Sequence, residues 1–212
     1  MGQVPALRLS ENRDGNEPTR LLADSSEILA WLCRLQPELI PKDHQEDIQS
    51  LLSSFYAFHA KPLTVKPEER NNGITNKAAA MLERTDISES HRRRLEVKSV
   101  YHDTKFRTTL DADNIETVES QARDFIRSVS DLLRRRQRQQ QQQGDEDFSG
   151  SAIYIFGTRP SVADAVVTAL LARLMDVGRD DIVDDETARD YTTKVISSSE
   201  WQKVMQGRRT LP

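Results

Sequence analysis

Two short stretches carry residue types at spacings that could do chemistry or fix a helix end. Asp24-Ser25-Ser26-Glu27 stands directly before an apolar run, where an aspartate can accept from the free N–H groups that open a helix. Ser161-Val162-Ala163-Asp164 has the form of a capping box: Ser161 would accept from the Asp164 N–H while the Asp164 carboxylate reaches back to the Ser161 N–H. By itself the Asp24-Ser25 pair is an ordinary helix cap, with no ligand implied. Cys33 is the single cysteine, so an intramolecular disulfide and a cysteine zinc cage are excluded, and its place in an apolar helical pattern reads as a small buried residue, not a nucleophile. His44, His59, His91 and His102 show no i, i+4 pairing that would hold a metal, and no metal is assigned.

Helices position these residues. After Asp24, the residues Ile28, Trp31, Leu32 and Leu35 recur at i, i+3, i+4 and i+7, which predicts a helix that Pro37 stops. A second helix is predicted from about Asp43, carrying Ile48, Leu51, Leu52, Phe55 and Tyr56 up to the break at Lys61-Pro62. Further helices follow at about Ala78 to Arg84, Glu89 to Thr108 with Ser88 as its cap, and a long one from Asp113. The helix after Ser161 is apolar around nearly its whole circumference and belongs in the middle of a bundle. Two more, roughly Asp185 to Ser197 and Ser199 to Gln206, close the chain. Ahead of all of them, Val4 to Leu9 and Thr19 to Ala23 read as two strands closing a hairpin with a long polar loop.

Composition bounds the function. The 212 residues are 36% hydrophobic, enough for a helical core, and the net charge of −4 comes from 30 basic and 34 acidic residues spread along the sequence. No overall positive field gathers phosphates, so nucleic acid is not an expected partner. His91-Arg92-Arg93-Arg94 and Arg134 to Arg138 read as solvated helix faces. The longest apolar stretch, Val162 to Val177, is interrupted by charges and falls short of the about 20 residues that cross a bilayer, so no membrane partner is expected. With one cysteine and no leader-like start, a cytoplasmic location is expected. The arginine and glutamine run leading into Gly144-Asp145-Glu146-Asp147 predicts a disordered loop at about 136–150.

Three segments resemble the cytosolic glutathione S-transferase family. Val4-Pro5-Ala6-Leu7 looks like the family's strand entered through a cis-proline, in which the residue before the proline, here Val4, offers its backbone to the cysteine of glutathione. Leu22 to Leu32 is similar to the segment that opens a helix with an acidic residue and a serine, which implies that Asp24 and Ser25 hold the γ-glutamyl end of glutathione; Asp stands where Glu or Gln is usual. Gly157 to Asp164 resembles the capping box of the family's central buried helix, which implies structural roles for Pro5, Ser161 and Asp164. Leu35 to Lys42 is similar to the family's interdomain linker.

The resemblance implies an α+β, mostly α chain: a partial thioredoxin-like portion over 1–36, a linker over 37–42 and an all-helical domain over 43–212. The strand-helix-strand with the family's catalytic Tyr, Ser or Cys finds no match, so no catalytic residue is assigned. What the resemblance implies of function is a transferase joining glutathione to a small hydrophobic electrophile, often as a homodimer. The style of the sequence resembles fungal members, which implies a role in secondary-metabolite biosynthesis or detoxification. A non-catalytic binding or scaffold protein is the alternative. Tyr56 would border the substrate cleft under family geometry, but from its spacing it reads as a core aromatic.

Overall fold

The computed structural model describes residues 7–9, 20–66, 68–69, 73–106, 110–142 and 154–210. The chain is mostly helical with one small antiparallel sheet. Strand β1 (Leu7–Leu9) pairs with β2 (Arg20–Leu22), Leu7 opposite Leu22 and Leu9 opposite Arg20. An isolated two-stranded ribbon is barely stable, so it needs an apolar anchor. Leu22 supplies one by burying its side chain, while Leu21 on the opposite face stays exposed. Val4 and Pro5 lie outside the described residues.

Helix α1 (Ser25–Leu35) follows β2 after a two-residue break. None of its residues is fully buried; Leu29 and Cys33 pack part of their surface against the core. Pro37 ends this run, and the linker takes two 3-10 turns, Pro37–Leu39 and Lys42–His44, before α2 (Gln45–Tyr56). Proline suits the first position of such a turn because its missing N–H has no partner there anyway.

The core is built by α2, α5 (Ala112–Gln142), α6 (Val162–Asp176) and α7 (Glu186–Ile196). Helix α6 lies at its centre, as its all-round apolar sequence predicts: Val162, Ala163, Val167, Leu171 and Leu174 are fully enclosed. Helix α2 offers Ile48 and Leu51, α5 offers Ala122, Phe125, Ile126 and Val129, and α7 offers Ala188, Tyr191 and Val195. A Schellman motif closes α6: the Gly178 N–H donates to Met175 O at 3.0 Å and the Arg179 N–H to Leu174 O at 2.9 Å, with Gly178 at φ +68°. Helices α3 (Lys77–Leu82) and α4 (Glu89–Tyr101) form a hairpin beside this core, and α4 runs into a π-helical turn, His102–Phe106. Helix α8 (Ser199–Met205), capped by Ser198, is the last described element.

Of the loop expected at about 136–150, residues 136–142 are helical and 143–150 lie outside the described residues. Helix α5 continues through Gln142, about 46 Å in all at the usual rise per residue. Arginine and glutamine are good helix formers, so the composition that argues against burial does not argue against helix. Arg136 adds a tertiary anchor, its guanidinium donating to Ile155 O at 2.8 Å and Tyr154 O at 3.3 Å. Arg134 pairs with Asp185 on the same stretch, and Arg179 ties the front of α5 through Glu119. No helix among the described residues is long and apolar enough to cross a membrane.

Candidate functional site

The site that the sequence points to lies where β2 turns into α1. Asp24 is the N-cap of α1, with extended backbone angles (φ −128°, ψ 141°), and its Oδ1 accepts from the Ser26 N–H at 2.8 Å and from the Ser26 hydroxyl. The Asp24 carbonyl takes the Ile28 N–H at 3.0 Å, which closes the first turn. These bonds favour the charged carboxylate, so the Ser26 side chain, then the Ser26 N–H, hold Asp24 below the usual carboxylate range. The Glu27 N–H adds a weaker hydrogen bond to the same carboxylate, which stays open to water. At neutral pH this corner presents a negative oxygen beside the positive end of a helix.

Tyr56, the last residue of α2, reaches the same corner. Its hydroxyl interacts with the Ser25 side chain and feels the Asp24 charge. Burial pushes the phenol up, the Ser25 hydrogen bond opposes that, and the Asp24 carboxylate adds to it, so Tyr56 stays protonated and able to donate. The reading of Tyr56 as a core aromatic is corrected here: the residue is 40% exposed at the end of α2, while Phe55 and Phe58 pack on Phe125. Helix α2 also packs on α6, so it is the element joining the start of α1 to the central helix.

Ser161 and Asp164 form the capping box at the start of α6. The Asp164 carboxylate accepts from the Ser161 N–H at 2.8 Å and the Ser161 hydroxyl at 2.7 Å, and the Asp164 N–H donates back to Ser161 Oγ at 3.4 Å. Its other oxygen takes the Ile155 N–H at 2.7 Å and the Tyr191 hydroxyl at 2.9 Å. Asp164 is only 2% exposed, so these donors and the nearby Arg136 charge compensate a carboxylate that water cannot reach. Burial, then the Asp164 charge, pushes the Tyr191 phenol well up, which keeps it a donor. The Tyr191 and Ile155 contacts are absent from the sequence reading. Spacing with Ala188 and Val195 places Tyr191 in the core, but nothing local says which buried acceptor its hydroxyl meets.

Compared with known proteins, the chain matches no family model, no curated protein and no solved structure.

Asp24, Ser25 and Tyr56 therefore form one exposed cluster, and Ser161 with Asp164 forms a separate, buried one. Val4 and Pro5, expected beside Asp24, lie outside the described residues. Cys33 sits in α1 and is half-buried; burial pushes its thiol up, away from thiolate chemistry at neutral pH. Open hollows on the surface lie elsewhere, one between α5 and α7 lined by Gln137, Glu186, Asp190 and Lys194, another along Lys42 to Gln49. Their linings are polar and solvated, so they do not exclude water from a bound molecule.

Proposed function

We propose that this chain binds glutathione at the start of α1 and is a glutathione S-transferase-like protein acting on a hydrophobic electrophile. One observation supports the reading most: Asp24, held ionised and exposed to water, caps a helix start beside Ser25 and the protonated Tyr56 hydroxyl. That grouping fits a zwitterionic α-amino acid. The helix N-terminus and Ser25 suit its carboxylate, and the Asp24 oxygen suits its ammonium. Tyr56 would donate to the thiol sulfur or to the electrophile. A transfer step would join the sulfur of glutathione to the electrophilic carbon, the leaving group departing as the thiol proton passes to solvent.

A second reading, glutathione binding without turnover, is supported by the titratable groups. The free thiol of glutathione has a pKa near 8.5 by analogy with cysteine, and both the Tyr56 phenol and the Cys33 thiol are shifted up. Among the described residues no cation stands at this corner to favour a thiolate.

Calorimetric titration with glutathione, paired with an assay on an aryl halide, tests both readings. Saturable binding that falls at least about tenfold in Asp24→Ala, with turnover, supports the transferase. Binding without turnover supports the second reading. No binding by the wild-type chain removes Asp24, Ser25 and Tyr56 from any glutathione site.

A further inference from the structure

Two single residues act as ties between elements. Asn76 fastens the α3–α4 hairpin to itself, its amide donating to Ser99 Oγ and to Asp103 Oδ1, each at 3.0 Å. Thr210 does the corresponding work after α8. Its N–H donates to Asp176 Oδ2 at 2.7 Å, its hydroxyl donates to the same oxygen, and its carbonyl accepts from Arg173 Nη1 at 2.8 Å. Arg173 and Asp176 stand in the last turn of α6, so Thr210 straps residues 206–210 onto the end of the central helix.

The rest of the strap is lightly held. Gln206 and Gly207 stand at φ +50° and +74°, a left-handed pair that turns the chain back after α8. Arg208 bonds within that turn, its N–H donating to Met205 O at 2.8 Å and its guanidinium to the Gln206 amide oxygen at 3.2 Å. Helix α8 has no fully buried residue, so the Thr210 clamp carries much of what holds residues 199–210 in place. The sequence marks the same residue. Thr210 is the chain's single serine or threonine preceded directly by two arginines, Arg208 and Arg209, and both are exposed. Cations just ahead of a hydroxyl are what the acidic substrate grooves of basophilic serine/threonine kinases select.

We propose that Thr210 is a phosphorylation site for a kinase of that class, and that the phosphate unfastens the strap and α8 from the end of α6. In the transfer, the Thr210 oxygen attacks the γ-phosphorus of ATP and the bond from that phosphorus to the β-phosphate oxygen breaks. ADP leaves, and the hydroxyl proton passes to a carboxylate base of the kinase. Thr210 is half-buried, so the kinase takes it when the strap lifts, a local opening that breaks three bonds at the surface. The clamp does not survive the modification. Oγ1 loses the proton that it gives to Asp176 Oδ2, which leaves two acceptor oxygens in contact, and the new group brings about two negative charges. Charge decides whether Arg173 can hold the phosphate instead. Burial holds that guanidinium below its ordinary range while the Asp176 and Glu69 carboxylates oppose the shift, so two acids already share this cation. A phosphate added among them meets more repulsion than attraction.

Incubating the full chain with ATP and a cyclic-AMP-dependent protein kinase, followed by peptide mass spectrometry, tests the site. Thr210 should take up one phosphoryl group, and Arg208→Gln combined with Arg209→Gln should slow the modification at least about tenfold. Asp176→Ala frees the strap without touching Thr210 and should speed it at least about twofold. Hydrogen exchange reads the consequence. In the phosphorylated chain the amides of residues 199–210 should exchange at least about tenfold faster than in the unmodified chain, while those of the front of α6 keep their rate. Thr210→Val, which loses one bond and gains no charge, should fall between the two. Absence of phosphate on Thr210 in both the wild-type chain and Asp176→Ala overturns the proposal. A phosphorylated chain whose residues 199–210 exchange no faster overturns it as well, because Arg173 then keeps the strap in place. The inference is independent of the proposed function, and glutathione titration of Thr210→Val should match the wild-type chain.

Discussion

The starts of α1 and α6 use the same local chemistry and do different work. Each opens with an aspartate carboxylate that accepts a serine hydroxyl and a backbone N–H. At α6 the carboxylate is enclosed and every near neighbour is a donor or a cation, so the group locks α6 to the Ile155 segment and to α7. At α1 the carboxylate is open to water. The difference teaches that the same capping pattern locks a core where it is enclosed and stays accessible to solvent where it is not. The sequence motif is shared; the surroundings divide the two cases.

The comparison can be broken most decisively at Asp164. Asp164→Ala strands the Ser161 N–H, the Ile155 N–H and the Tyr191 hydroxyl inside the core, and should cost about 3–5 kcal/mol in urea unfolding. A loss under about 1 kcal/mol would mean that the enclosed carboxylate is not the hub described. Tyr191→Phe removes one donor and leaves the Thr168 hydroxyl without its 3.0 Å partner; about 1–2 kcal/mol is expected.

A smaller effect sharpens the pH side. Asp185 caps α7, where burial works against its charge but hydrogen bonds from Arg134 and the Ala188 N–H help to outweigh it and lower its pKa. A carboxylate lowered in the folded state contributes stability above its unfolded value, near pH 4, and loses it as pH falls through the folded value. Asp185→Asn should therefore cost about 1 kcal/mol at neutral pH, with the gap to wild type closing on acidification below pH ~4. A gap unchanged down to the acid limit would remove the carboxylate from that account.

Asp24→Ala should show the reverse balance of Asp164→Ala. Stability should fall only by the share of one exposed cap, well short of Asp164→Ala, while glutathione binding falls. If Asp24→Ala unfolds the chain as readily as Asp164→Ala, the two helix starts are not distinct in kind.

Much of the fold was legible because it rests on periodicity. Ile28 to Leu35 gave α1, and the all-apolar run after Ser161 gave the central helix; Ser88, Asp185 and Ser199 marked starts that the structure keeps within a residue or two. The extension of α5 through Gln142 was not legible, because it depends on Arg136 meeting carbonyls far away in sequence. The candidate site was legible only in part. Asp24 and Ser25 could be read from an N-cap pattern, but Tyr56 reaches them from another helix, and its spacing with Phe55 and Leu52 suits a core residue equally well. A chemical pairing across helices leaves no trace in local spacing.

Asn76 has a consequence beyond its cap. Its Oδ1 holds the first turn of α3 by accepting the Ala79 N–H at 3.0 Å, while its Nδ2 grips the end of α4. The two helices pack chiefly on each other, so one amide side chain latches both ends of a unit that leans on the rest of the molecule at few points. Such a hairpin can detach and re-dock as a block while the central bundle stays intact, and its backbone amides should trade hydrogen for deuterium together, well ahead of those in α6.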